Sequence, residues 1–361
     1  MSTRRTLEQI REEIDALDKE LHTLLNRRAG LALEVADVKS ESADDPVLYR
    51  PEREAQILRE VARRNSGPLS DETLRRLFRE VMSACLALEE PLTVAYLGPQ
   101  GTFTQEAALK HFGHAVAATP MATIDAVFRA VEAGAAAFGV VPVENSTEGV
   151  VNHTLDMFIA SPLGICGEVE LRVHHQLLSR ASVLADVQRV YAHRQALAQC
   201  REWLQSHLHD VATEPVNSNA EAAQLAAQEI GTAAIASAWA GEQNALNTLA
   251  ANIEDKPDNT TRFLVIGAQE IAASGEDKTS LLLSARNRPG ALYGLLAPLA
   301  EAGIGMTKIE SRPSRLGKWE YVFYIDMEGH REDAPLREVL SKLEAEAALF
   351  RVLGSYPRVA R

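Results

Sequence analysis

Hydrophobic positions follow two different patterns along the chain, and the change between them falls at Pro91. From Leu7 to Val38, apolar residues recur at helical spacing, with one glycine and no proline among them. A helix of about that length extends roughly 50 Å, and Thr6 and Gln9 have the spacing of a capping box at its start. A domain of this size cannot cover so long an apolar stripe. The pattern therefore predicts that a second copy of the chain packs against it.

Two shorter helices are expected in the same region. Pro51 favours a helix start, and Ser70 is placed to cap a third helix that runs to Glu89. Pro91 ends that helix because proline has no amide hydrogen. Residues 1–90 are therefore predicted to form an all-α domain.

After Pro91, short strand-like runs alternate with helical patterns as far as residue 271. The strand-like runs are 93–97, 137–143, 187–192 and 232–236, and the helical ones lie near 104–112, 123–133, 149–160, 195–207 and 219–228. Such alternation is typical of an α/β domain with mainly parallel sheets.

Residues 277–361 follow a short linker and show a third order of elements, strand–helix–strand–strand–helix–strand. The predicted elements are 279–285, 290–302, 304–312, 319–327, 335–345 and 350–356. A small α+β domain is expected here, and this order by itself says little about function.

Composition narrows the classes of function. A chain of 361 residues with a net charge of −13 has no segment basic enough to make nucleic acid its main partner. It also has no apolar run long enough to span a membrane, and no apolar core behind its first basic residues, so neither a membrane segment nor a signal peptide is expected. Cys85, Cys166 and Cys200 lack metal-binding spacing, which fits a reducing cytoplasm. No metal or cofactor is predicted, since the loop at 98–104 also lacks the glycine patterns of nucleotide sites.

The long helix carries a cation within its apolar stripe, at Arg28. Lys39 projects within about 20° of Arg28, separated by about 16 Å of rise. Arg11 lies about 100° round the helix and about 25 Å away, so only an antiparallel partner helix would bring it to the same place. The alternative is that these long cationic side chains reach out of a dimer seam into water.

Taken together with other polar residues, these cations resemble the all-helical chorismate mutase family, whose domain is an intertwined helical dimer. The residues that carry the resemblance are Ile10, Arg11, Ile14, Leu17, Asp18, Arg28, Lys39, Arg53, Glu54 and Glu89. It implies that Arg28 and Lys39, with Arg11 of the neighbouring chain, bind the carboxylates and ether oxygen of chorismate. It also places Arg53, Glu54, Cys85 and Glu89 at that site, with Glu54 on the substrate hydroxyl. A Claisen rearrangement suits such residues, since it needs a fixed conformer and cations near the breaking C–O bond but no nucleophile.

Two positions depart from that family. Glu89 stands where many bacterial members have glutamine, and a glutamate can donate a hydrogen bond to the ether oxygen only when it is protonated. Arg50 stands where familiar members often carry aspartate.

In the α/β region, polar signatures follow the strand-like runs, where ligands gather in such folds. They are Gly98-Pro-Gln-Gly-Thr-Phe-Thr104, Pro142-Val-Glu-Asn-Ser-Thr147, and His193 with Gln199-Cys200. Hydroxyls at a helix N-terminus suit a small carboxylate, but Thr102 and Thr104 also suit ordinary helix caps. Glu144 and Asn145 could likewise cap a strand end.

With Asn259-Thr-Thr-Arg-Phe263, these signatures resemble prephenate dehydratase, in the order of that family. The resemblance implies two lobes like those of type-2 periplasmic binding proteins, with prephenate in the cleft. Thr261 would be the essential hydroxyl, positioned by Arg262 and Phe263. The other residues implied at the site are Thr102, Phe103, Thr104, Glu144, Asn145, Ser146 and Gln199. His193-Arg194-Gln195 departs from the His-Pro-Gln of the family.

The implied reaction expels CO2 and water from prephenate and leaves an aromatic ring. Threonine is a weak acid, so Thr261 is interpreted as a hydrogen-bond donor or relay to the leaving hydroxyl. Glu144 is the alternative source of the proton.

Two signatures in the last region resemble the ACT domain of phenylalanine-regulated dehydratases, Gly290-Ala-Leu-Tyr293 and Glu310-Ser-Arg-Pro313. The resemblance implies L-phenylalanine bound between paired ACT domains. It implies that the first signature lies against the ligand, with Gly290, Ala291 and Leu292. It implies that the second signature shapes the pocket or couples it to the dehydratase, with Glu310, Ser311, Arg312 and Pro313. The alternative is a plain dimerisation domain.

The three resemblances together imply two consecutive activities under phenylalanine feedback, in a cytoplasmic homodimer or higher homo-oligomer. One alternative is a dehydratase whose mutase domain is vestigial, because of Arg50 and Glu89. Another is a non-catalytic protein that senses an amino acid.

Replacing Glu89 by glutamine tests the first departure. Glu89→Gln is expected to shift the pH profile of chorismate rearrangement upward, because an amide donates a hydrogen bond at every pH whereas a carboxylate does not. The measurement is the rate of prephenate formation between pH 4.5 and 9, compared with the unchanged chain. An identical profile in the two proteins would contradict the assignment.

Overall fold

The computed structural model describes residues 5–42, 49–285, 289–314 and 321–359, without the side chains of 39–42. The side chain of Lys39, one of the predicted chorismate ligands, therefore lies outside the described residues. The chain divides into two compact units. One contains the N-terminal helical part with residues 57–92 and 112–117, and the other contains 51–56, 93–111 and everything after 117.

The helices predicted before Pro91 are present. They are α1 (Leu7–Ser42), α2 (Pro51–Arg64) and α3 (Asp71–Glu89). The capping box at the start of α1 is confirmed, since the Thr6 amide donates to Gln9 Oε1 at 3.0 Å and the Gln9 amide donates to Thr6 Oγ1 at 3.3 Å. Ser70 caps α3 by accepting from the Thr73 amide, so local chemistry sets both starts.

Most of the apolar stripe of α1 is exposed in the single chain. Leu7, Leu24 and Val38 are 64%, 59% and 65% exposed. Exposed apolar side chains in a row of this length mark an interaction surface. None of the described helices has both the length and the apolarity that crossing a membrane requires.

The α/β region contains eleven strands and seven α-helices in its described residues. The strands are β1 (Thr93–Leu97), β2 (Ala117–Met121), β3 (Phe138–Asn145), β4 (Gly149–Val150), β5 (Gly164–Arg172), β6 (Gln176–Ser179), β7 (Arg189–His193), β8 (Ala212–Val216), β9 (Thr232–Ala236), β10 (Asn247–Ala250) and β11 (Thr260–Gly267). The helices are α4 (Phe103–Phe112), α5 (Ile124–Glu132), α6 (Asn152–Ala160), α7 (Arg194–Gln199), α8 (Arg201–His207), α9 (Asn219–Gln228) and α10 (Ala238–Gln243).

These strands form two mixed sheets, so the expectation of mainly parallel sheets was wrong. The first sheet has the order β2-β1-β3-β11-β5, with β4 beside β3, and the second has the order β10-β6-β9-β7-β8. Strand β11 runs antiparallel to both β3 and β5, and β6 runs antiparallel to β9. The chain leaves the first sheet after β5 and returns to it at β11, and a returning strand enters from the opposite direction. Alternation of elements along the sequence does not record that direction.

The C-terminal region follows the predicted order, in the sheet order β13-β14-β12-β15. Its elements are β12 (Asp277–Ser284), α11 (Ala291–Glu301), β13 (Met306–Pro313), β14 (Tyr321–Glu328), α12 (Ala334–Glu346) and β15 (Leu349–Pro357). Successive residues of a strand point to opposite faces, so β12 serves two cores. Leu281 and Leu283 pack with helix residues such as Leu295, while Leu282 packs with the first α/β sheet.

Strands β5 and β15 bring the α/β and C-terminal regions into backbone contact. A Cβ atom on Gly354 would lie 2.1 Å from the carbonyl oxygen of Ile165, and one on Gly164 would lie 2.8 Å from that of Leu353. Neither distance can be accommodated without moving a main chain, so only glycine fits at these two positions.

A methyl group at Gly354 is therefore expected to destabilise the protein. Gly354→Ala should lower the free energy of unfolding by about 1–3 kcal/mol, the usual penalty for overpacking, and the midpoint of thermal unfolding should fall. Gly294→Ala is the matched control, because it lies inside α11 and its added methyl would come no closer than 3.7 Å to a side chain. The control should gain roughly 0.5–1 kcal/mol from helix propensity. Gly354→Ala as stable as the unchanged chain would contradict the described packing.

Candidate active site

Thr261 and Asn145 face each other across two neighbouring strands. In the antiparallel pair of β11 and β3, Thr261 is the register partner of Asn145. The Asn145 Nδ2 donates to Thr261 Oγ1 at 2.8 Å. Because the hydroxyl oxygen accepts this hydrogen bond, the hydroxyl proton of Thr261 remains available for another acceptor.

The orientation of the Asn145 amide is fixed by backbone groups. Its Oδ1 accepts from the amides of Thr147 at 2.9 Å and Glu148 at 3.0 Å, in the turn after β3. The other end of the amide, Nδ2, must therefore face Thr261. Ser146, the next predicted residue, closes the same turn: its Oγ accepts from the Thr260 amide at 2.9 Å.

The hydrogen bonds continue from Asn145 to the second sheet. Asn145 Nδ2 also donates to Asn259 Oδ1 at 2.8 Å, and Asn259 Nδ2 donates to Gln199 Oε1 at 3.1 Å. Gln199 is the last residue of α7, which follows β7 of the second sheet. The network therefore joins residues that the two sheets supply, and it brings together three predicted residues, Thr261, Asn145 and Gln199.

His175 completes this network, although the sequence reasoning did not identify it. It is 2% exposed, and its Nε2 lies 2.8 Å from Gln199 Oε1, which can only accept. Nε2 therefore carries the proton, and Nδ1 has no hydrogen-bond partner among the described residues. Burial lowers the pKa of His175, partly opposed by the Gln199 hydrogen bond and by Glu254. The sequence pattern predicted no strand before His175, and only the structure shows that it follows β5, near a strand end where such sites form.

The loop after β1 favours the capping alternative for Thr102. Its Oγ1 donates to the Leu97 carbonyl oxygen at 3.1 Å and accepts from the Gln105 amide at 3.4 Å. Thr104 is buried. Phe103, by contrast, packs against the ring of His175 at 5.9 Å between centroids in an edge-on arrangement. Of this loop, the Phe103 ring is thus in contact with the network.

Glu144 and Arg262 lie next to the network residues on the same two strands. They are register partners of each other, one residue away from Asn145 and Thr261, so they project to the opposite face. Arg262 Nε donates to Glu168 Oε2 at 2.8 Å, and Glu144 pairs with Lys308. Strand alternation separates these side chains from the Thr261 hydroxyl, and their part in the prephenate site stays a prediction. Phe263 is 1% exposed and belongs to the buried interior.

Arg262 is held as a cation on that opposite face. Its guanidinium lies 2.7 Å from Asp326 and 3.2 Å from the Tyr356 hydroxyl. Burial alone would lower the pKa of Arg262, but Tyr356, Asp326 and Glu168 outweigh burial, and its pKa is raised.

The residues predicted for chorismate lie on the three N-terminal helices. Arg11 and Arg28 are on α1, Arg53 and Glu54 are in the first turn of α2, and Cys85 and Glu89 are near the end of α3. Arg11 and Arg53 are exposed, Arg28, Glu54 and Glu89 are partly buried, and Cys85 is buried. They remain a predicted site.

The residues predicted for phenylalanine occupy the start of α11 and the end of β13. Gly290 precedes α11 with φ of +75°, a conformation that favours glycine, and Ala291 and Leu292 open the helix. Glu310, Ser311, Arg312 and Pro313 end the edge strand β13. In that signature, Arg312 Nη2 lies 2.9 Å from Asp156 Oδ1 on α6, which links the C-terminal region to the α/β region.

Comparison with known families and proteins agrees with the three regions. Residues 10–90 match the chorismate mutase type II family, 94–271 match the prephenate dehydratase family, and 279–345 match the ACT domain family. A bifunctional chorismate mutase/prephenate dehydratase of Pseudomonas aeruginosa is 54% identical over 362 aligned positions, which cover 99% of each chain.

The chain belongs to the family of bifunctional chorismate mutase/prephenate dehydratases.

Solved structures resemble the dehydratase and ACT parts of this bifunctional enzyme. Prephenate dehydratase from Arthrobacter aurescens in complex with L-Phe is 35% identical with a TM-score of 0.68, and the match covers 74% of this chain and 90% of that one. A structure described as GqqA, a quorum quenching acylase, is 32% identical with a TM-score of 0.67, covering 73% of this chain and 97% of that one. The dehydratase fold therefore occurs with more than one described activity. Across the described residues, no group of three His, Cys, Asp or Glu side chains could hold a metal ion.

The neutral state of His175 predicts a pH dependence of stability. Below its ordinary pKa of 6.5, the unfolded chain takes up a proton that the folded histidine refuses, so the free energy of unfolding falls as the pH falls from 6.5 towards the lowered pKa. Each unit by which the pKa is lowered corresponds to about 1.4 kcal/mol. His175→Gln, which can still donate to Gln199, should therefore lose less stability than the unchanged chain between pH 7 and 5.5. The measurement is urea unfolding at several pH values.

His209→Gln is the control for that comparison, because the His209 side chain is 73% exposed beside Asp210. It should keep the pH dependence of the unchanged chain. An equal pH dependence in His175→Gln and His209→Gln would show that His175 is not the group responsible.

Proposed function

We propose that the chain catalyses two consecutive steps of L-phenylalanine biosynthesis, from chorismate to prephenate and from prephenate to phenylpyruvate. The observation that carries the second step is the hydrogen bond from Asn145 Nδ2 to Thr261 Oγ1 at 2.8 Å. It leaves the hydroxyl of Thr261 as a donor at the strand end where a substrate would bind.

The dehydratase step requires that hydroxide leave as water while CO2 leaves from the same ring. The electrons of the breaking C–C bond enter the ring, the C–O bond breaks with its electrons on oxygen, and the hydroxide that leaves takes up a proton from solvent to become water. Thr261 donates a hydrogen bond to that oxygen, and Asn145 stabilises the threonine oxygen as its O–H bond lengthens. Aromatisation supplies the driving force, so the residues mainly position and polarise.

Further residues hold this arrangement. Asn259 holds the Asn145 amide and is itself held by Gln199 of the second lobe, which His175 also contacts. Phe103 supplies an aromatic surface beside His175. Thr102, Thr104 and Ser146 shape the loops at the same edge. Glu144 is not favoured as the proton source, because its carboxylate is paired with Lys308 at 2.6 Å.

The first step takes place in the helical region, within an intertwined dimer. Arg28 and Lys39 of one chain and Arg11 of the other hold the two carboxylates of chorismate, and Arg53, Glu54, Cys85 and Glu89 complete the site. The exposed apolar stripe of α1 supports the dimer, because a second α1 would cover it. The match of residues 10–90 to the chorismate mutase type II family supports the activity.

The C-terminal ACT domain is proposed to bind L-phenylalanine as a feedback inhibitor. The signatures at Gly290–Leu292 and Glu310–Pro313 supply the ligand pocket and its coupling. The complex of the Arthrobacter aurescens dehydratase with L-Phe supports this ligand, and the ion pair of Arg312 with Asp156 supports the coupling. The domain bounds are proposed as 1–90, 91–271 and 277–361.

A reducing cytoplasm is proposed as the location of the enzyme. The described cysteines, Cys85, Cys166 and Cys200, are unpaired by disulfides and buried. Burial raises the pKa of Cys166 to about 12, with slight opposition from the Gln269 backbone, so this thiol is unreactive at neutral pH.

Supplying chorismate to the pure protein tests the two activities in one assay. Prephenate should form first and phenylpyruvate second, and chromatography of samples taken over time measures both. Thr261→Val should stop the sequence at prephenate, with the dehydratase kcat reduced about a hundredfold or more, because valine keeps the shape of threonine and lacks its hydroxyl. Thr261→Ser keeps the hydroxyl and should retain activity to within about tenfold. Valine and serine variants of equal dehydratase activity would contradict the role of the hydroxyl.

The same assay with L-phenylalanine separates the alternatives. Inhibition of phenylpyruvate formation supports regulation by the ACT domain, whereas an absence of binding and inhibition supports a plain dimerisation domain. If the protein forms phenylpyruvate from added prephenate but forms no prephenate from chorismate at any pH, its mutase domain is vestigial. Phenylalanine binding without either activity would show a sensing protein.

A further inference from the structure

Two ion pairs join the ACT domain to the strands that carry the catalytic network. Glu144 precedes Asn145 on β3, and its Oε2 lies 2.6 Å from Lys308 Nζ on β13. Arg262 follows Thr261 on β11, and its Nη1 lies 2.7 Å from Asp326 Oδ2 on β14. On both strands, one residue enters the network and its neighbour is bound by the ACT domain.

The pairing at Arg262 belongs to a buried cluster with balanced charges. The side chains of Arg262 and Lys278 are 12% and 10% exposed, and those of Glu168 and Asp326 are 1% and 10% exposed. Buried charges keep a fixed geometry when each has a partner of opposite sign, since losing one leaves an uncompensated charge. Arg262 is thus held between Glu168 of β5 and Asp326 of the ACT sheet.

The pairing between the strand ends that carry Thr261 and Asn145 is short, although β11 stays in register with β5 there. The register of β11 on β3 shifts between Arg262 and Phe263, so a bulge separates the last two residue pairs from the rest of the ladder. A bulge interrupts the ladder and changes the direction of side chains beyond it. Beyond it, the strands pair only as Thr261 with Asn145 and Arg262 with Glu144.

The two ion pairs act at one place. A cavity between the first α/β sheet and the ACT sheet is lined by Arg262, Lys308 and Asp326 together with apolar residues. Around the cavity, the α/β and ACT sheets share a core that contains Val143, Leu264 and Leu282. A change at either ion pair therefore affects the same part of β3 and β11, next to Asn145 and Thr261.

We propose that Lys308 and Asp326 of the ACT domain are positioning residues of the dehydratase, which hold Glu144 and Arg262 and so fix the distance between Asn145 and Thr261. The proposal rests on the dehydratase function proposed above. Lys308 acts through Glu144, and neither ACT residue touches the substrate. A shift of one strand end relative to the other lengthens the hydrogen bond that orients the Thr261 hydroxyl, and displacements of about 1 Å can lower a rate a hundredfold.

Lys308→Met tests the proposal at the position least prone to unfolding, because the Glu144 side chain is 39% exposed and can be hydrated once unpaired. The dehydratase kcat on prephenate should fall about tenfold while KM stays within about twofold, since the change disturbs alignment and not binding. Lys308→Arg restores the positive charge and should recover most of kcat. If Lys308→Met does not fold, Lys308→Gln carries the same expectation.

Arg331→Met is the matched control. Arg331 is also an ACT cation paired with a carboxylate of the dehydratase region, Glu270, but that partner lies beyond β11 and away from the network. If interface ion pairs only attach the two regions, both variants change kcat equally, and the proposal is overturned. A tenfold lower kcat in Lys308→Met with an unchanged kcat in Arg331→Met supports it.

Glu144→Gln separates positioning from proton donation. The amide oxygen of glutamine still accepts from Lys308, so kcat should fall less in this variant than in Lys308→Met. The double variant Glu144→Gln with Lys308→Met should be no slower than Lys308→Met alone, because the two residues act through one contact. Loss of activity in Glu144→Gln with normal activity in Lys308→Met would overturn the proposal and make Glu144 the acid. An unchanged chain that forms no phenylpyruvate refutes the dehydratase function itself, which is a separate outcome.

Discussion

Successive residues of a strand point to opposite faces, and the dehydratase region depends on this constraint at one pair of strands. On β11, Thr261 joins the hydrogen-bond network while Arg262 enters the buried ion cluster. On β3, Asn145 and Glu144 divide in the same way. The antiparallel register then places the two network residues side by side and the two charged residues side by side. One geometric rule thus gives the sheet one face that carries the hydrogen-bond network and one face that carries the ion pairs, within a single step of the chain.

The charged face is stable because it is embedded in a shared core. Tyr324 and Tyr356 of the ACT sheet are 4% and 0% exposed. They pack in the same apolar cluster as Val141 and Leu264 of the first α/β sheet. The glycines at 164 and 354 let the strands of the two regions touch. Charges placed in such a setting keep their partners, since solvent cannot replace them. The ACT sheet therefore packs as a layer on the first α/β sheet.

The helical region differs from the other two regions, because its long helix leaves an apolar surface exposed. Helix α1 has local signals that fix its start and its periodicity, yet much of its apolar stripe is exposed in one chain. An apolar stripe that extends along a helix of about 54 Å marks an interaction surface. In the α/β and ACT regions the described apolar cores form within one chain, whereas the stripe of α1 stays largely exposed.

The sequence by itself determined the elements whose signals are local. Thr6, Gln9 and Ser70 set helix starts, and the runs at Thr93–Leu97 and Thr232–Ala236 became strands with those bounds. Motifs also indicated Thr261, Asn145 and Gln199 as neighbours, because residue types and their order carry that information. The helix expected over 195–207 is divided at Cys200, where two short helices meet, and no local signal marked the break.

Only the tertiary structure decided which face each residue serves. Glu168 is a charged residue in the buried strand β5, where an apolar pattern does not predict a charge. The ion-pair partners of Glu168, Arg262 and Lys278, are about a hundred positions away in the chain. His175 became part of the site because Gln199 of the second lobe meets it there. The direction of β11 and the contacts of Glu144 likewise depend on which strands become neighbours. Such pairings arise from packing between distant segments, and the residues that lie next to one another in the sequence do not encode them.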